Sequence, residues 1–515
     1  MSWLLFLSHN GSWPSAVATA VALLLVTYLV SSTLYSITLH QLAGFPGPVS
    51  CAVSRIPFWL ACLTGKQVQW MHDLHVRYGP AVRYSPDDLS FVDDGGSVWK
   101  ALHSRHEKGG REFPKAKEWF VTPSNAIYGI NSAAAHEDHR RYRSLFAPAF
   151  SERALKSQEP LFRSHVDLLL SKLDEAAVAD QPVDMAKIFQ LTTFDIMGDL
   201  TFGQSLGQLE AKTYSQWVEA VFASIRAIPI AQLIQYYPLL QGLFNLIEPQ
   251  AIKDMKYNHF KHSADRVDQR LERGSDKPDI WNLVLSAQGD QQLSLDEMYC
   301  HADVFMLAGS ETTGTAMAGF TYFLLTNPDK LAVLTREIRA RFPTDADITM
   351  ESTAPLRYLN ACIQESLRLY PPVPVGVPRT VPAPGQEVLG RWVGPETRVS
   401  VHHYATYRSA ANFTEPATFA PERWLAEGKQ QKGGGGEDSA AVYAGDRREA
   451  MQAFGFGPRN CLGQNMAMHE MRLVLARLLF RFDFEICDES RGWTDQRAFV
   501  LWEKKPLFCR LKVAV

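Results

Sequence analysis

Cys461 is the residue best placed to do chemistry in this chain, within Phe454-Gly455-Phe456-Gly457-Pro458-Arg459-Asn460-Cys461-Leu462-Gly463. A helical pattern follows at once, with Leu473, Val474, Leu478 and Leu479 on one face. A thiol just before a helix start sees the positive end of the helix dipole, which favours the thiolate. Gly455, Gly457 and Gly463 carry no Cβ, so a flat ligand can approach and N–H groups can point at the sulfur. Pro458 fixes one torsion, and Arg459 can hold an anion through charge-assisted hydrogen bonds. A free cysteine is usually an inert core residue; this setting argues for a ligand or a nucleophile. A second group is Ala308-Gly309-Ser310-Glu311-Thr312-Thr313. Ala308 and Gly309 leave space beside a helix, and a threonine hydroxyl can bond back to the carbonyl four residues earlier. Glu311 beside Thr312 is either an acid–alcohol pair that relays protons or a satisfied buried polar cluster. A third group, Glu365 and Arg368, pairs a carboxylate and a guanidinium at i,i+3. At a surface it would be worth only about 0–1 kcal/mol.

These groups need elements to hold them. Ser294-Leu295-Asp296-Glu297 is a capping box. It opens a helix expected to run to Asn327-Pro328, about 50 Å at 1.5 Å per residue. Residues 298–325 are apolar enough for a membrane, but His301, Asp303 and Glu311 make that costly. The helix is therefore expected to cross a large core. Tyr370-Pro371-Pro372 ends the Glu365 helix, and residues 373–377 run extended into Pro378-Arg379. His139 and Arg143 share one face of another helix, readable by itself as a solvated basic face. Residues 204–247 are apolar, with breaks expected at Pro229 and Pro238, and form a lid or core helices. Val82-Arg83-Tyr84 and Leu89-Ser90-Phe91-Val92 read as strands around Pro86-Asp87-Asp88. Residues 498–501 and 507–513 read as further strands, and the glycine-rich stretch 428–441 as a surface insertion.

The 515 residues suffice for one large domain or several ordinary ones, and a net charge of −3 offers no basic nucleic-acid face. Seven scattered cysteines without a CxxC pair exclude a disulfide framework or zinc site and suit a reducing, cytosolic face. No Asp, Glu, Lys or Arg precedes Arg55. Residues 15–39 are apolar and exceed the roughly 20 that span a bilayer. Without the basic start of a cleaved signal, they read as an uncleaved anchor. Arg55, Lys66 and Arg77 follow it, which places the body in the cytosol. The Asn10 sequon would then be lumenal, and Asn412 begins a second candidate sequon. Phe45-Pro46-Gly47-Pro48 is a stiff break, dividing an anchor, 1–44, from a body, 45–515.

Four motifs in order carry a resemblance: 308–313, Glu365-x-x-Arg368, Phe419-Ala420-Pro421-Glu422-Arg423-Trp424 and Phe454-x-x-Gly457-x-Arg459-x-Cys461-x-Gly463. From Phe45 onward the chain resembles the cytochromes P450, haem-thiolate monooxygenases, and in particular membrane-bound fungal members that act on secondary metabolites. The resemblance implies a mainly α fold with small β-sheets behind a single transmembrane helix. It implies haem b with Cys461 as axial ligand, and Arg459, Arg379, Arg143 and His139 on the propionates. Phe454, Gly457 and Gly463 would shape the cysteine loop. Glu365, Arg368 and Arg423 would brace the proximal side, and Ala308, Gly309, Glu311 and Thr312 would serve O2 and proton delivery. Electrons would come from NADPH through a reductase, with cytochrome b5 as a second donor, at the endoplasmic reticulum membrane with the body cytosolic. The product would be a hydroxylated or epoxidised hydrophobic small molecule, contacted near 119–130, 204–247, Phe305, 373–377 and 499–501. Ala453 and His139 depart from the residues common in the family, proline and tryptophan. Three rivals stand beside this reading: a haem-thiolate isomerase or dehydratase needing no external electrons, a non-catalytic membrane haem sensor, and a cysteine-nucleophile hydrolase. The acid–alcohol pair argues against the first two, and the third lacks a paired base.

Overall fold

Both halves of the Ser294 capping box form, and the helix they start runs Leu295–Leu325. The computed structural model describes residues 13–104, 112–121, 126–274, 277–285, 292–425 and 442–514. The Asn10 sequon, residues 122–125 and the insertion 428–441 lie outside them. The central helix packs most extensively on the helix Met185–Phe202, and also on Arg357–Leu369 and Gln464–Arg481. It is a core helix, as its embedded polar residues require: His301, Ser310 and Glu311 are buried by protein. A Cβ on Gly309 would lie 2.6 Å from Met197 Sδ. That glycine therefore admits the neighbouring helix and leaves no space there, contrary to expectation. Thr193 Oγ1 donates to the Ser310 carbonyl at 3.0 Å and Ser310 Oγ to the Thr193 carbonyl at 3.2 Å, locking the pair's register.

The sheets are small and peripheral. Ala81–Ser85 and Asp88–Phe91 pair antiparallel around the expected turn; Arg398–Val401 adds parallel and Arg379–Thr380 antiparallel. Residues 498–501 are not one strand. Val500 takes φ +72°, so Ala498–Phe499 folds back on Leu501–Trp502. A β-branched residue there carries no local turn signal; packing decides it. Phe508–Val513 pairs with Phe482–Ile486 and Val183–Asp184. Pro229 does not break its helix, which runs Gln216–Tyr236. The ring costs one backbone hydrogen bond, and the buried neighbours Ile225 and Gln232 hold the helix together. Pro238 does start a new helix, Pro238–Ile247, none of whose residues is buried.

The N-terminal helix spans Trp13–Thr38; its segment Ser15–Thr38 has a mean hydropathy of 2.0, and residues 15–32 are exposed throughout. Its last turn belongs to the body. Arg83, 2% exposed, donates to the Ser36 carbonyl at 2.8 Å and to the Pro86 carbonyl at 2.8 Å. Asn412 is buried, with Nδ2 donating to the carbonyls of Asp93 at 2.6 Å and Thr406 at 3.2 Å, which closes that sequon to modification.

Candidate haem site

The cysteine loop is closed by backbone. Cys461 N–H donates to the Phe454 carbonyl at 2.7 Å and Gly455 N–H to the Gln452 carbonyl at 2.9 Å. Gly457 takes φ +76°, and a Cβ there would sit 2.1 Å from the His103 carbonyl oxygen. Only glycine lets this loop dock against the helix Ser97–His103. Gly457–Arg459 makes one tight turn, and Gly463 is the N-cap of the helix Gln464–Arg481. The Cys461 side chain is open on one side, and protein encloses the rest of it. Burial pushes the thiol up, while the Gly463 N–H and the Arg143 guanidinium pull it down. Desolvation thus outweighs the helix-end effect expected for the free thiol. A coordinated metal cation would reverse that balance, because it deprotonates a thiol outright.

Around this loop, cations outnumber acids. Arg143 donates to Asn460 O and Oδ1 at 2.7 and 2.6 Å. Arg459 donates to Glu112 at 3.0 Å and to the carbonyls of Ala134 and Ala135 at 3.2 and 3.3 Å. Arg379, 4% exposed, donates to the Phe113 carbonyl at 2.9 Å, and its buried Nε has no partner among the described residues. Burial and then the Arg459 charge hold Arg379 down to about 9. Burial, Arg379 and Arg459 push Lys115 well below the ordinary lysine range. His139 is held down to about 3 by burial, Arg459, Lys115 and Arg143, so its ring is neutral. Glu112, held down to about 2 against its own burial by His136 and Arg459, is the one acid acting on this set among the described residues. Such a surplus of buried positive charge is costly unless an anion meets it. Four cations, one acid, an unpartnered guanidinium nitrogen and an accessible thiol fit haem with its two propionates. Glu112 and Lys115 carried no sequence signal: only folding brings Glu112 to Arg459.

The brace is complete. Arg368 Nε and Nη2 each donate to Glu365 at 2.8 Å, and Arg423 Nε donates to Glu365 at 3.0 Å. Trp424 Nε1 adds a bond at 2.9 Å, and Asp446 pairs with Arg423. Two arginines facing one glutamate leave one positive charge over, and the fold brings Asp446 to it, a partner the sequence reading did not include. All four charged groups are buried, so losing one partner would cost about 3–5 kcal/mol.

On the central helix Ala308 is exposed, Thr312 is half-buried and Glu311 is buried. Thr312 Oγ1 donates to the Ala308 carbonyl at 2.7 Å, as expected. Glu311 and Thr312 do not touch each other through these groups. Glu311 Oε1 receives Lys504 Nζ, and Thr315 Oγ1 at 3.4 Å. Burial pushes Glu311 up and the Lys504 ammonium opposes that shift.

A family model described as Cytochrome P450 matches residues 48–510. Cytochrome P450 monooxygenase FUM2 of Gibberella moniliformis is 40% identical over 485 residues, covering 93% of this chain and 100% of its own. Cytochrome P450 monooxygenase efuB of Hormonema carpetanum is 38% identical over 512 residues, 98% of each chain. Cytochrome P450 monooxygenase stcF of Emericella nidulans is 38% identical over 497 residues, 95% of this chain and 98% of its own.

Proposed function

This chain belongs to the cytochrome P450 family and is a haem-thiolate monooxygenase; we propose that it oxidises a hydrophobic intermediate of fungal secondary metabolism at the endoplasmic reticulum membrane. The observation that carries the reading is the accessible Cys461 thiol in its glycine-shaped loop, beside a cation set with too few acids. When bound, haem activates O2 with electrons supplied from outside and transfers one oxygen atom to a C–H bond or an alkene. Cys461 would hold the haem iron through its thiolate, with Phe454, Gly457 and Gly463 fixing its loop. Arg379, Arg143, Arg459 and His139 would hold the propionates, the neutral His139 as a hydrogen-bonding rather than a charged partner. Glu365, Arg368, Arg423 and Asp446 would keep the proximal side rigid. Thr312, on the open face with Ala308, would hand on protons that Glu311 supplies.

Electrons would come from NADPH through a flavoprotein reductase, with cytochrome b5 as a second donor. Two features support a membrane setting. The exposed apolar helix Trp13–Thr38 is long enough to span. The helix Pro238–Ile247 also presents Leu239, 89% exposed, and Leu246, 85% exposed. Beside it, the helix Ile56–Leu63, with Ile56 and Leu60 exposed, packs on Gln216–Tyr236, the helix that leads into Pro238–Ile247. Apolar patches of this kind mark membrane or partner contacts. The test is the reduced, CO-bound spectrum of the full-length enzyme. Wild type is expected to give the thiolate-type Soret band and Cys461→Ser to lose it. A band that persists in the variant would sink the ligand assignment.

A further inference from the structure

A cavity of about 30 Å³ lies where the helix Ile56–Leu63, the strand Asp88–Phe91 and the end of the helix Gln216–Tyr236 meet. Two side chains of its lining carry buried donors with no hydrogen-bond partner among the described residues: Arg55, at Nη2, and Trp59, at Nε1. Arg55 is 8% exposed and Trp59 7%. Neither group can accept a hydrogen bond, so what satisfies them is an acceptor. The buried acid of the lining, Asp88, is already taken up by Arg55 Nη1, Arg398 Nε and Ser85 Oγ. Two arginines on one buried acid leave a positive charge over. Tyr236 OH accepts from Arg398 Nη2 at 3.2 Å, which leaves the phenol proton to donate as well. Asp87, 3.7 Å from Arg398 Nη2, and Glu118 are exposed to solvent, where salt screens them. On one side the cavity is walled by the helix that exposes Ile56 and Leu60, and on another by Trp119 and Pro378. Pro378 immediately precedes Arg379 of the haem cation set. The cavity thus stands between an apolar surface and the haem site.

We propose that this cavity anchors the substrate by a carboxylate, which Arg55 Nη2 and Trp59 Nε1 bind while the apolar remainder of the molecule extends past Trp119 and Pro378 toward the haem. The substrate class is then an amphipathic carboxylic acid whose acid group lies remote from the carbon that is oxidised. The inference rests on the reading of this chain as a haem monooxygenase acting on a hydrophobic intermediate. A carboxylate is the acceptor that fits best. It has two oxygens for two donors, it meets the charge that Asp88 leaves over, and a cavity of this size has about the room of one or two waters. The aromatic rings of Phe58, Trp59, Trp119 and Tyr236 around it suit the first methylenes of an attached chain. Anchoring one end of a flexible chain fixes which of its carbons reaches the open side of Cys461, so the anchor sets the position of oxidation as well as affinity.

The test uses full-length holoenzyme and two variants. Arg55→Lys keeps a cation for Asp88 and removes Nη2; Trp59→Phe keeps a ring and removes Nε1. The probes are decanoate, methyl decanoate and decanol, which share one tail and differ at the head. Binding is read by calorimetry at neutral pH, where the acid is ionised. Wild type is expected to bind decanoate at least about tenfold more tightly than decanol or the ester, the worth of charge-assisted hydrogen bonds to one head group. Each variant should lose most of that preference through weaker decanoate binding, with decanol binding unchanged. A general folding defect would instead weaken all three probes together, and the ratio of acid to alcohol separates the two effects. No preference for the acid in wild type would overturn the proposal and leave the cavity as a water site. A preference that survives in both variants would overturn it too, by placing the anchor elsewhere. The reduced, CO-bound spectrum is recorded on the same samples. Loss of the thiolate-type band from wild type with the acid preference intact would sink the haem reading and leave the anchor standing. The band without the preference would sink the anchor alone.

Discussion

Among the described residues, Thr312 donates its hydroxyl to the Ala308 carbonyl alone, one turn back on its own helix. Such a bond is easily exchanged for another acceptor, which suits a group that passes protons rather than one that holds structure. Thr312→Ala is therefore expected to keep NADPH oxidation near wild type while peroxide per NADPH rises several-fold. An unchanged peroxide yield would remove Thr312 from the path. Glu470 is a different case, on the helix that follows Cys461. It is 2% exposed, Oε1 has no partner among the described residues, and burial alone pushes it up to about 8. Between the ordinary carboxylate range and about 8 the folded chain holds a proton that the unfolded chain has lost. Stability from this group therefore falls as pH rises through that window, by up to about 1.4 kcal/mol per unit. Glu470→Gln should flatten that fall, checked by unfolding midpoints at pH 6 and pH 8 for both proteins. Equal pH dependence would show that Glu470 finds a partner in solution. Sequence marks Cys461 through its glycines and arginine, but it offers no mark for Glu470, whose chemistry comes wholly from what surrounds it.

At the scale of elements, the central helix and Met185–Phe202 approach so closely that side-chain size at one position sets their spacing. Gly309→Val is expected to cost about 1–3 kcal/mol through overpacking, since its Cβ would meet Met197 Sδ at 2.6 Å. Adding Met197→Ala should recover part of that loss, and a fully additive pair would mean the two residues do not meet. Helix starts and stops were legible because caps and prolines act locally: Ser294 capped as expected, and Tyr370 stands as C-cap before Pro371. Pro229 and Val500 were not legible. In both, tertiary packing overrode a local preference worth only a few kcal/mol.

For the whole molecule, the anchor and the body share a joint. Arg83 is buried against Ser36, and Leu42 is fully buried. A chain starting at residue 34 is expected to keep the unfolding midpoint of the full-length protein. One starting at residue 45 should lose about 1–3 kcal/mol, because the Arg83 guanidinium loses acceptors it cannot replace with water. Equal midpoints for the two truncations would place the joint outside the folded body.

The sequence alone determined the helical class, the apolar N-terminal helix, the cysteine loop and the Glu365–Arg368 pair. These rest on short-range rules: periodicity, capping, glycine geometry and i,i+3 spacing all act within one or two turns. Only the tertiary structure decided that Glu112 meets Arg459, that Asp446 completes the brace and that Glu311 turns to Lys504 rather than to Thr312. Those are pairings between charges far apart in the chain. Their strength depends on burial and on the competing charges around them, and neither exists until the core has formed.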